Sequence, residues 1–279
     1  MIISIASGKG GTGKTTVATN MALSLTNVQL LDCDVEEPNA HIFLQPEIQK
    51  QMLVYIAVPT VDETRCDYCG KCAEFCEFNA LAVLNDMVMA FPELCHGCGG
   101  CSIVCPKNAI AEENREIGVV KQGAAGDIEF IYGELNIGEL MAVPVIKGVK
   151  NEIDNDKTVI IDASPGTSCP VIAAVHGSDY CILVTEPTPF GLHDLKLAVE
   201  VLRKMEIPFG VIINREGIGD QKVQDYCREE GIPILLTIPM DRKIAELYSR
   251  GVPFVLKMPE WKEKFSGVFE HIKSVVNSQ

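Results

Sequence analysis

The chain has 279 residues, 47% of them hydrophobic and 22% charged, which provides for a sizeable core and argues against a disordered chain. Its net charge of −14, with no visible stripe of Lys and Arg, argues against a nucleic-acid-binding surface, which needs clustered cations. No apolar run approaches the ~20 residues of a membrane span, and Met1-Ile2-Ile3 leads straight into the first strand, so a cytosolic protein without membrane contact is expected.

In chain order, the first strand is Ile2 to Ile5, and Val17, Met21 and Leu25 mark a helix by their spacing. Between them lies Gly8-Lys9-Gly10-Gly11-Thr12-Gly13-Lys14-Thr15, followed by Thr16. Strand, glycine loop and helix form the context of a phosphate-binding P-loop. The glycines let backbone N–H groups curl around phosphate oxygens, Lys14 brings a charge to the β- and γ-phosphates, and the Thr15 hydroxyl reaches Mg²⁺. A Gly-rich turn matching by chance is the competing reading, and the flanking elements count against it.

Val28 to Asp34 reads as a buried strand ending in two acids, Asp32 and Asp34, with Cys33 a small buried residue between them. Ligands of open α/β sheets sit at the carboxyl ends of strands, so both acids are expected to face the phosphates. A solvated strand-end turn is the alternative. Leu53 to Val58 is a further short apolar run, after which the composition changes.

Cys66-x₂-Cys69-x₂-Cys72-x₃-Cys76 is followed by Cys95-x₂-Cys98-x₂-Cys101-x₃-Cys105-Pro106, an internal repeat that also matches Asn79-Ala80-Leu81 to Asn108-Ala109-Ile110. With twelve cysteines in an expected cytosolic chain, metal or redox chemistry is favoured over disulfides. Zinc ribbons also use Cys-x₂-Cys pairs. The number of cysteines and the trailing Cys-Pro favour iron–sulfur ligation. The first run departs from the second by ending in Cys76-Glu77, and His96 is expected to be solvated or backbone-bonded rather than a ligand.

Val119-Val120 and Ile128 to Tyr132 read as short strands joined by a hairpin at Gly123 to Asp127, and the tract from Gly138 to Ile146 leads onward. Thr158 to Asp162 is a buried strand ending in an acid, followed by Ala163-Ser164-Pro165-Gly166-Thr167; Cys169 is expected to be a buried structural thiol. Tyr180 to Thr185, Phe209 to Asn214 and Ile234 to Ile238 are further core strands, and Asp194 to Met205 is a helix. Trp261, Phe265, Val268, Phe269, Ile272 and Val276 share a face of a C-terminal helix whose mixed charges favour packing on the sheet over membrane contact. Strands alternating with helices imply an α/β fold with a parallel, doubly wound sheet. The expected division is an ATPase domain over 1–59 and 116–279, interrupted by a cysteine domain over 60–115.

Lys9, directly after the first glycine of the loop, sharpens the picture. The run Lys9 to Thr16 resembles the deviant Walker A loop of the MinD, ParA, Mrp and nitrogenase iron-protein ATPases. That resemblance implies bound ATP or ADP with Mg²⁺, hydrolysis within a nucleotide-sandwich dimer, and a Lys9 that reaches the partner's phosphates. The segment from Asp32 to Asn39 is similar to switch I of MinD- and Mrp-type proteins, in which Asp34 orients the attacking water and helps hold Mg²⁺ with Thr15. Asp162 and Gly166 are similar to Walker B and switch II, Asp162 serving Mg²⁺ and the Gly166 N–H lying near the γ-phosphate. Asn214 matches the adenine-contacting Asn, and Pro239-Met240-Asp241 the turn that packs beside the base; a turn Asn is the rival reading of Asn214. Catalytic roles accordingly fall to Lys9, Lys14 and Asp34, with Gly8, Gly10, Gly11, Thr12, Gly13 and Thr16 around the nucleotide.

The cysteine stretch resembles a bacterial two-cluster ferredoxin, in which the fourth ligand of each run crosses to the other cluster. The resemblance implies one [4Fe-4S] on Cys66, Cys69, Cys72 and Cys105, and a second on Cys95, Cys98, Cys101 and Cys76. A third, dimer-bridging cluster at Cys169 lacks a second matching cysteine. Nucleotide-gated electron transfer through two clusters is the leading expectation, with a redox partner protein. An Mrp-like scaffold or carrier handing clusters to an apo-acceptor, and a MinD-like positioning ATPase, are the alternatives. Either a homodimer or a heterodimer with a related ATPase is compatible with the sequence.

Overall fold

The computed structural model describes residues 1–278. In chain order the elements are β1 (Ile2–Ala6), α1 (Lys14–Ala22), β2 (Val28–Asp32), α2 (Ala40–Leu44), β3 (Glu47–Val61), α3 (Lys71–Phe75), β4 (Leu81–Leu84), β5 (Met87–Ala90), α4 (Gly100–Val104), β6 (Ile110–Ala125) and β7 (Ile128–Leu135). They continue with α5 (Ala142–Lys150), β8 (Thr158–Asp162), α6 (Cys169–Val175), β9 (Tyr180–Thr185), α7 (Pro189–Lys204), β10 (Phe209–Glu216), α8 (Lys222–Glu229), β11 (Ile234–Pro239), α9 (Arg242–Ser249) and α10 (Glu260–Val276).

Nine strands form one sheet in the order β11-β10-β9-β1-β8-β2-β7-β6-β3. The pairs β1–β8, β1–β9, β2–β8, β2–β7, β9–β10 and β10–β11 are all parallel. The apolar composition explains this arrangement. β2 and β9 are buried along their whole length, and strands covered on both faces read as continuous rather than alternating hydrophobic runs. Gln29, a buried polar residue within β2, is satisfied: its amide donates to the Glu152 carbonyl at 2.8 Å and accepts from the Asp154 N–H at 2.9 Å.

The C-terminal helix α10 buries Trp261, Phe265, Val268 and Ile272 in the same core as Ile3, Ile5 and Phe130. Trp261 meets Phe254 edge-on with ring centroids 5.4 Å apart. Truncating a buried Phe costs about 3–5 kcal/mol, so α10 is integral to the core, as its mixed polar face implied. Among the described residues no helix is long and apolar enough to cross a membrane.

The chain separates into two compact units. One comprises Met1–Gln51, Val120–Glu134 and Ile146–Gln279; the other comprises Met52–Val119 and Leu135–Val145. The second unit takes in more chain than the 60–115 stretch marked by the cysteines, because the strands flanking the cysteine runs are long. Leu53 to Val58 is the middle of β3, and Val119-Val120 lies inside the 16-residue β6. The reversal between β6 and β7 is confined to Gly126-Asp127, with Gly126 at φ 59 supplying the left-handed turn. A second hairpin, β4–β5, pairs Leu81 with Ala90 antiparallel and turns through Asn85 at φ 34.

Candidate functional site

The glycine loop leaves β1 at Ala6 and enters α1 at Lys14. Gly13 sits at φ 98, where an L side chain is strained, and a Cβ there would lie 2.3 Å from the Asn214 amide nitrogen. At Gly8 a Cβ would lie 2.1 Å from the Asp194 carbonyl oxygen, so two glycines are demanded by close packing. Gly10 and Gly11 differ: around Gly11 nothing lies within 4 Å of a built Cβ, and at Gly10 only Pro165 does, at 4.0 Å. The middle of the loop is therefore an open backbone cradle of the kind that admits phosphate oxygens. Thr12, Lys14 and Thr15 are all buried.

Facing this cradle are the ends of β2 and β8. Asp32 and Asp162 are register partners on the two adjacent strands, and both are fully buried. Burial drives both carboxyls above the usual carboxylate range, each has a neighbouring acid raising it further, and Lys14 opposes the rise at Asp162. Neither Asp162 oxygen accepts a hydrogen bond of ordinary geometry; the Thr15 hydroxyl lowers its pKa without satisfying it. A buried, unsatisfied carboxylate is costly unless a cation completes it. With the Thr15 hydroxyl alongside, the residues present fit a hard divalent ion such as Mg²⁺.

Asp32 plays a different part from the one expected. Its carboxylate accepts the N–H groups of Asp34 (3.0 Å), Asn39 (3.1 Å) and Ala40 (3.0 Å), and so fixes the loop that carries Asp34. Asp34 is half-buried, and burial raises its carboxyl to about 7 against the attraction of Lys14. Ser164 donates to the Cys33 carbonyl at 3.0 Å and the Cys33 N–H donates to the Asp162 carbonyl at 2.8 Å, which ties the two acid-bearing loops together. Cys33 is buried; Cys169 is exposed at the start of α6, which corrects the expectation of a buried thiol there.

Four further residues, Lys9, Asn214, Gly166 and Asp241, sit in unanticipated partnerships. Lys9 donates from Nζ to Glu186 at 2.5 Å, and Arg215 donates to the other Glu186 oxygen at 3.0 Å. Glu186 is almost buried, and although burial alone would raise its carboxyl, the two cations hold it below its ordinary pKa. Asn214 donates to the Thr12 carbonyl at 2.8 Å and accepts from the Arg215 N–H at 2.9 Å, so here its amide braces the loop. The Gly166 N–H donates to the Ser7 carbonyl at 2.9 Å. Pro239 ends β11, and Asp241 caps α9 by accepting from the Lys243 N–H at 2.6 Å.

The second unit repeats one local structure twice. Gly70 and Gly99, at φ 78 and 71, precede α3 and α4, and Asn79 and Asn108 adopt φ 52 and 48. The N–H groups of Tyr68 and Gly97 point at the Cys66 and Cys95 sulfurs at 3.4 Å, and those of Ala80 and Ala109 at the Cys76 and Cys105 sulfurs at 3.4 and 3.3 Å. Such donors stabilise thiolates. The eight cysteines line two hollows in crossed sets: Cys66, Cys69, Cys72 and Cys105 around one, and Cys76, Cys95, Cys98 and Cys101 around the other. Cys72 is pushed up chiefly by burial, with Cys66 and Cys105 adding to it; Cys101 is pushed up by burial, with Cys95 and Cys98 adding. Among the described residues no three His, Cys, Asp or Glu side chains close on a single-ion point. The donor sets fit a group wider than one ion, held by four thiolates. His96 is exposed and stacks on Phe78 at 3.6 Å between ring centroids.

Comparison with known proteins adds four findings. The family described as "CobQ/CobB/MinD/ParA nucleotide binding domain" matches residues 3–254. An uncharacterised protein of Methanocaldococcus jannaschii is 31% identical over 99% of this chain and 97% of its own. An "Iron-sulfur cluster carrier protein" of Pyrococcus abyssi is 24% identical over 91% of this chain and 79% of its own. Among solved structures, the septum site-determining protein MinD with Mg-ADP from Pyrococcus horikoshii superposes with a TM-score of 0.61 at 21% identity, covering 98% of this chain and 96% of that one. This last likeness carries the fold.

Proposed function

Because the chain belongs to the CobQ/CobB/MinD/ParA nucleotide-binding domain family, we propose that it is an ATPase that carries iron–sulfur clusters and couples their handling to its nucleotide state. The observation that carries this reading is the pairing, in one chain, of an open phosphate cradle beside the unsatisfied Asp162 with two hollows each lined by four thiols. The likeness to a protein named as a cluster carrier supports it.

At the nucleotide, Lys14 and the loop N–H groups would bind the phosphates, and Thr15 and Asp162 would hold Mg²⁺, which neutralises charge on the β- and γ-phosphates when bound. Asp34, with its carboxyl near 7, is suited to accept a hydrogen bond from the water that attacks the γ-phosphorus. The bond to the ADP oxygen breaks as the new P–O bond forms, giving ADP, phosphate and a proton. Lys9 must leave Glu186 to reach any phosphate of a second copy, so turnover is slow in the monomer and faster in a dimer of this chain or with a related ATPase. Asn214 must likewise give up Thr12 to read an adenine edge, with Pro239 and Asp241 beside the base, and Gly166 must give up Ser7 to face the γ-phosphate.

The second reading, electron transfer to a redox partner, is favoured by the crossed pairing of the cysteine sets, which is that of two-cluster ferredoxins. An anaerobic preparation with iron and sulfide counted, followed by EPR with and without Mg-ATP, tests the common ground. Two [4Fe-4S] signals that respond to nucleotide are expected; absence of acid-labile sulfide would refute both readings. Midpoint potentials that move with ATP while clusters stay bound favour electron transfer over carriage.

A further inference from the structure

The two hollows arise from one repeated sequence, yet their walls differ in size and charge. The hollow at Cys66, Cys69, Cys72 and Cys105 is the narrower of the two and is closed by Val61, Val83, Val88, Pro106 and Ile110. The hollow at Cys76, Cys95, Cys98 and Cys101 has a volume of about 650 Å³. Around the small hollow, Lys71 and Lys107 outnumber Asp67, which itself lies 3.8 Å from Lys107. Around the large one, Glu74, Glu77 and Glu112 outnumber Lys71. The thiols do not make this difference, since each hollow has one exposed cysteine (Cys69 and Cys98) and two N–H···S contacts. The walls make it, and Glu77 stands where the other run has Pro106.

We infer that the hollow at Cys76, Cys95, Cys98 and Cys101 is the exchange site, where an iron–sulfur cluster is taken up and given away, while the one at Cys66, Cys69, Cys72 and Cys105 keeps its cluster. This rests on the iron–sulfur reading above. A cluster held by four thiolates is an anion, so three carboxylates around it weaken its retention and a net positive wall strengthens it. Retention also follows access: an acceptor thiolate needs room beside the cluster, which the large hollow gives and the apolar lid of Val61, Val83, Val88 and Ile110 denies. In the exchange each incoming acceptor thiolate forms one iron–sulfur bond as one cysteine sulfur of this chain leaves as thiolate and takes a proton. No electron is gained or lost.

The test follows iron release from the anaerobically reconstituted full chain challenged with an Fe²⁺ chelator, monitored by absorbance and EPR. Two phases of equal iron content are expected, separated by about tenfold or more in rate, the scale on which outer-shell groups alter metal retention. Cys101→Ser should remove the fast phase and Cys72→Ser the slow one. The combined Glu74→Gln, Glu77→Gln, Glu112→Gln variant keeps every thiol and should slow the fast phase several-fold while leaving the slow phase unchanged. A single phase carrying all the iron, loss of the fast phase in Cys72→Ser, or an unaltered fast phase in the Gln variant overturns the assignment while the iron–sulfur reading stands. A reconstituted chain without iron and sulfide overturns both.

Discussion

The nucleotide-binding unit and the cysteine unit reach order by different routes. In the first, β2 and β9 are buried throughout, and Phe130, Phe254, Phe265 and Met21 fill a core that needs no ligand. In the second, α3 has no buried residue, α4 buries only Gly100, and the largest fully buried side chain is Ile117. Small units with little core are ordered by metal ligation. On the iron–sulfur reading proposed above, the hollows would order the second unit, whereas the glycine-loop cradle is carved into a fold whose core needs no ligand.

The sharpest way to break that contrast is to strip the metal. Chelation under reducing conditions should abolish the second unit's protection from proteolysis around residues 60–115 while the first unit stays resistant; equal resistance with and without iron would remove the contrast. Next in size is Lys14→Ala, which should lower ATP turnover by roughly 10²-fold or more, the scale of losing a charged group on the transition state, with iron content unchanged. Glu186→Gln releases Lys9 and Arg215 beside the loop. Nucleotide affinity should rise by roughly tenfold, in line with a charged hydrogen bond no longer competing, and calorimetry with Mg-ADP measures it. Unaltered affinity would show that Glu186 does not compete with phosphate.

The smallest effect concerns pH. Burial raises the carboxyls of Asp32, Asp34 and Asp162, Asp34 to about 7, so the fold binds protons more tightly than the unfolded chain. Their contribution to stability is full below about pH 4, the ordinary carboxyl value, and is lost as pH rises through about 7. The nucleotide-free protein should therefore lose several degrees of Tm across that window, about 2–4 °C for each kcal/mol at this size. Asp162→Asn should flatten the slope. A slope unchanged in that variant would locate the titration elsewhere.

Much of this molecule was legible in the residues, for reasons that explain what was not. The loop from Gly8 to Thr15 and the strands ending at Asp32 and Asp162 are local patterns, set by backbone conformation and continuous burial. The cysteine repeat is also local, and its spacing brings along the left-handed turns at Gly70, Gly99, Asn79 and Asn108. Glu186 had no such signal, because its partners Lys9 and Arg215 are distant in sequence and meet it only once the sheet is assembled. Asp32 misled through position: an acid at a strand end suggests a ligand, but the N–H groups of Asp34, Asn39 and Ala40 reach it first. The lengths of β3 and β6 were hidden because their polar ends, such as Glu47 to Gln51 and Glu112 to Glu116, carry no apolar run.

Cluster movement is the most direct measure of the account. With the anaerobically reconstituted full chain as donor and an apo-ferredoxin as acceptor, transfer should deliver one of the two clusters, at a rate that changes with Mg-ATP in the native chain and not in Lys14→Ala. Clusters that move at the same rate whatever the nucleotide, or that never leave, would contradict a carrier governed by its ATP site.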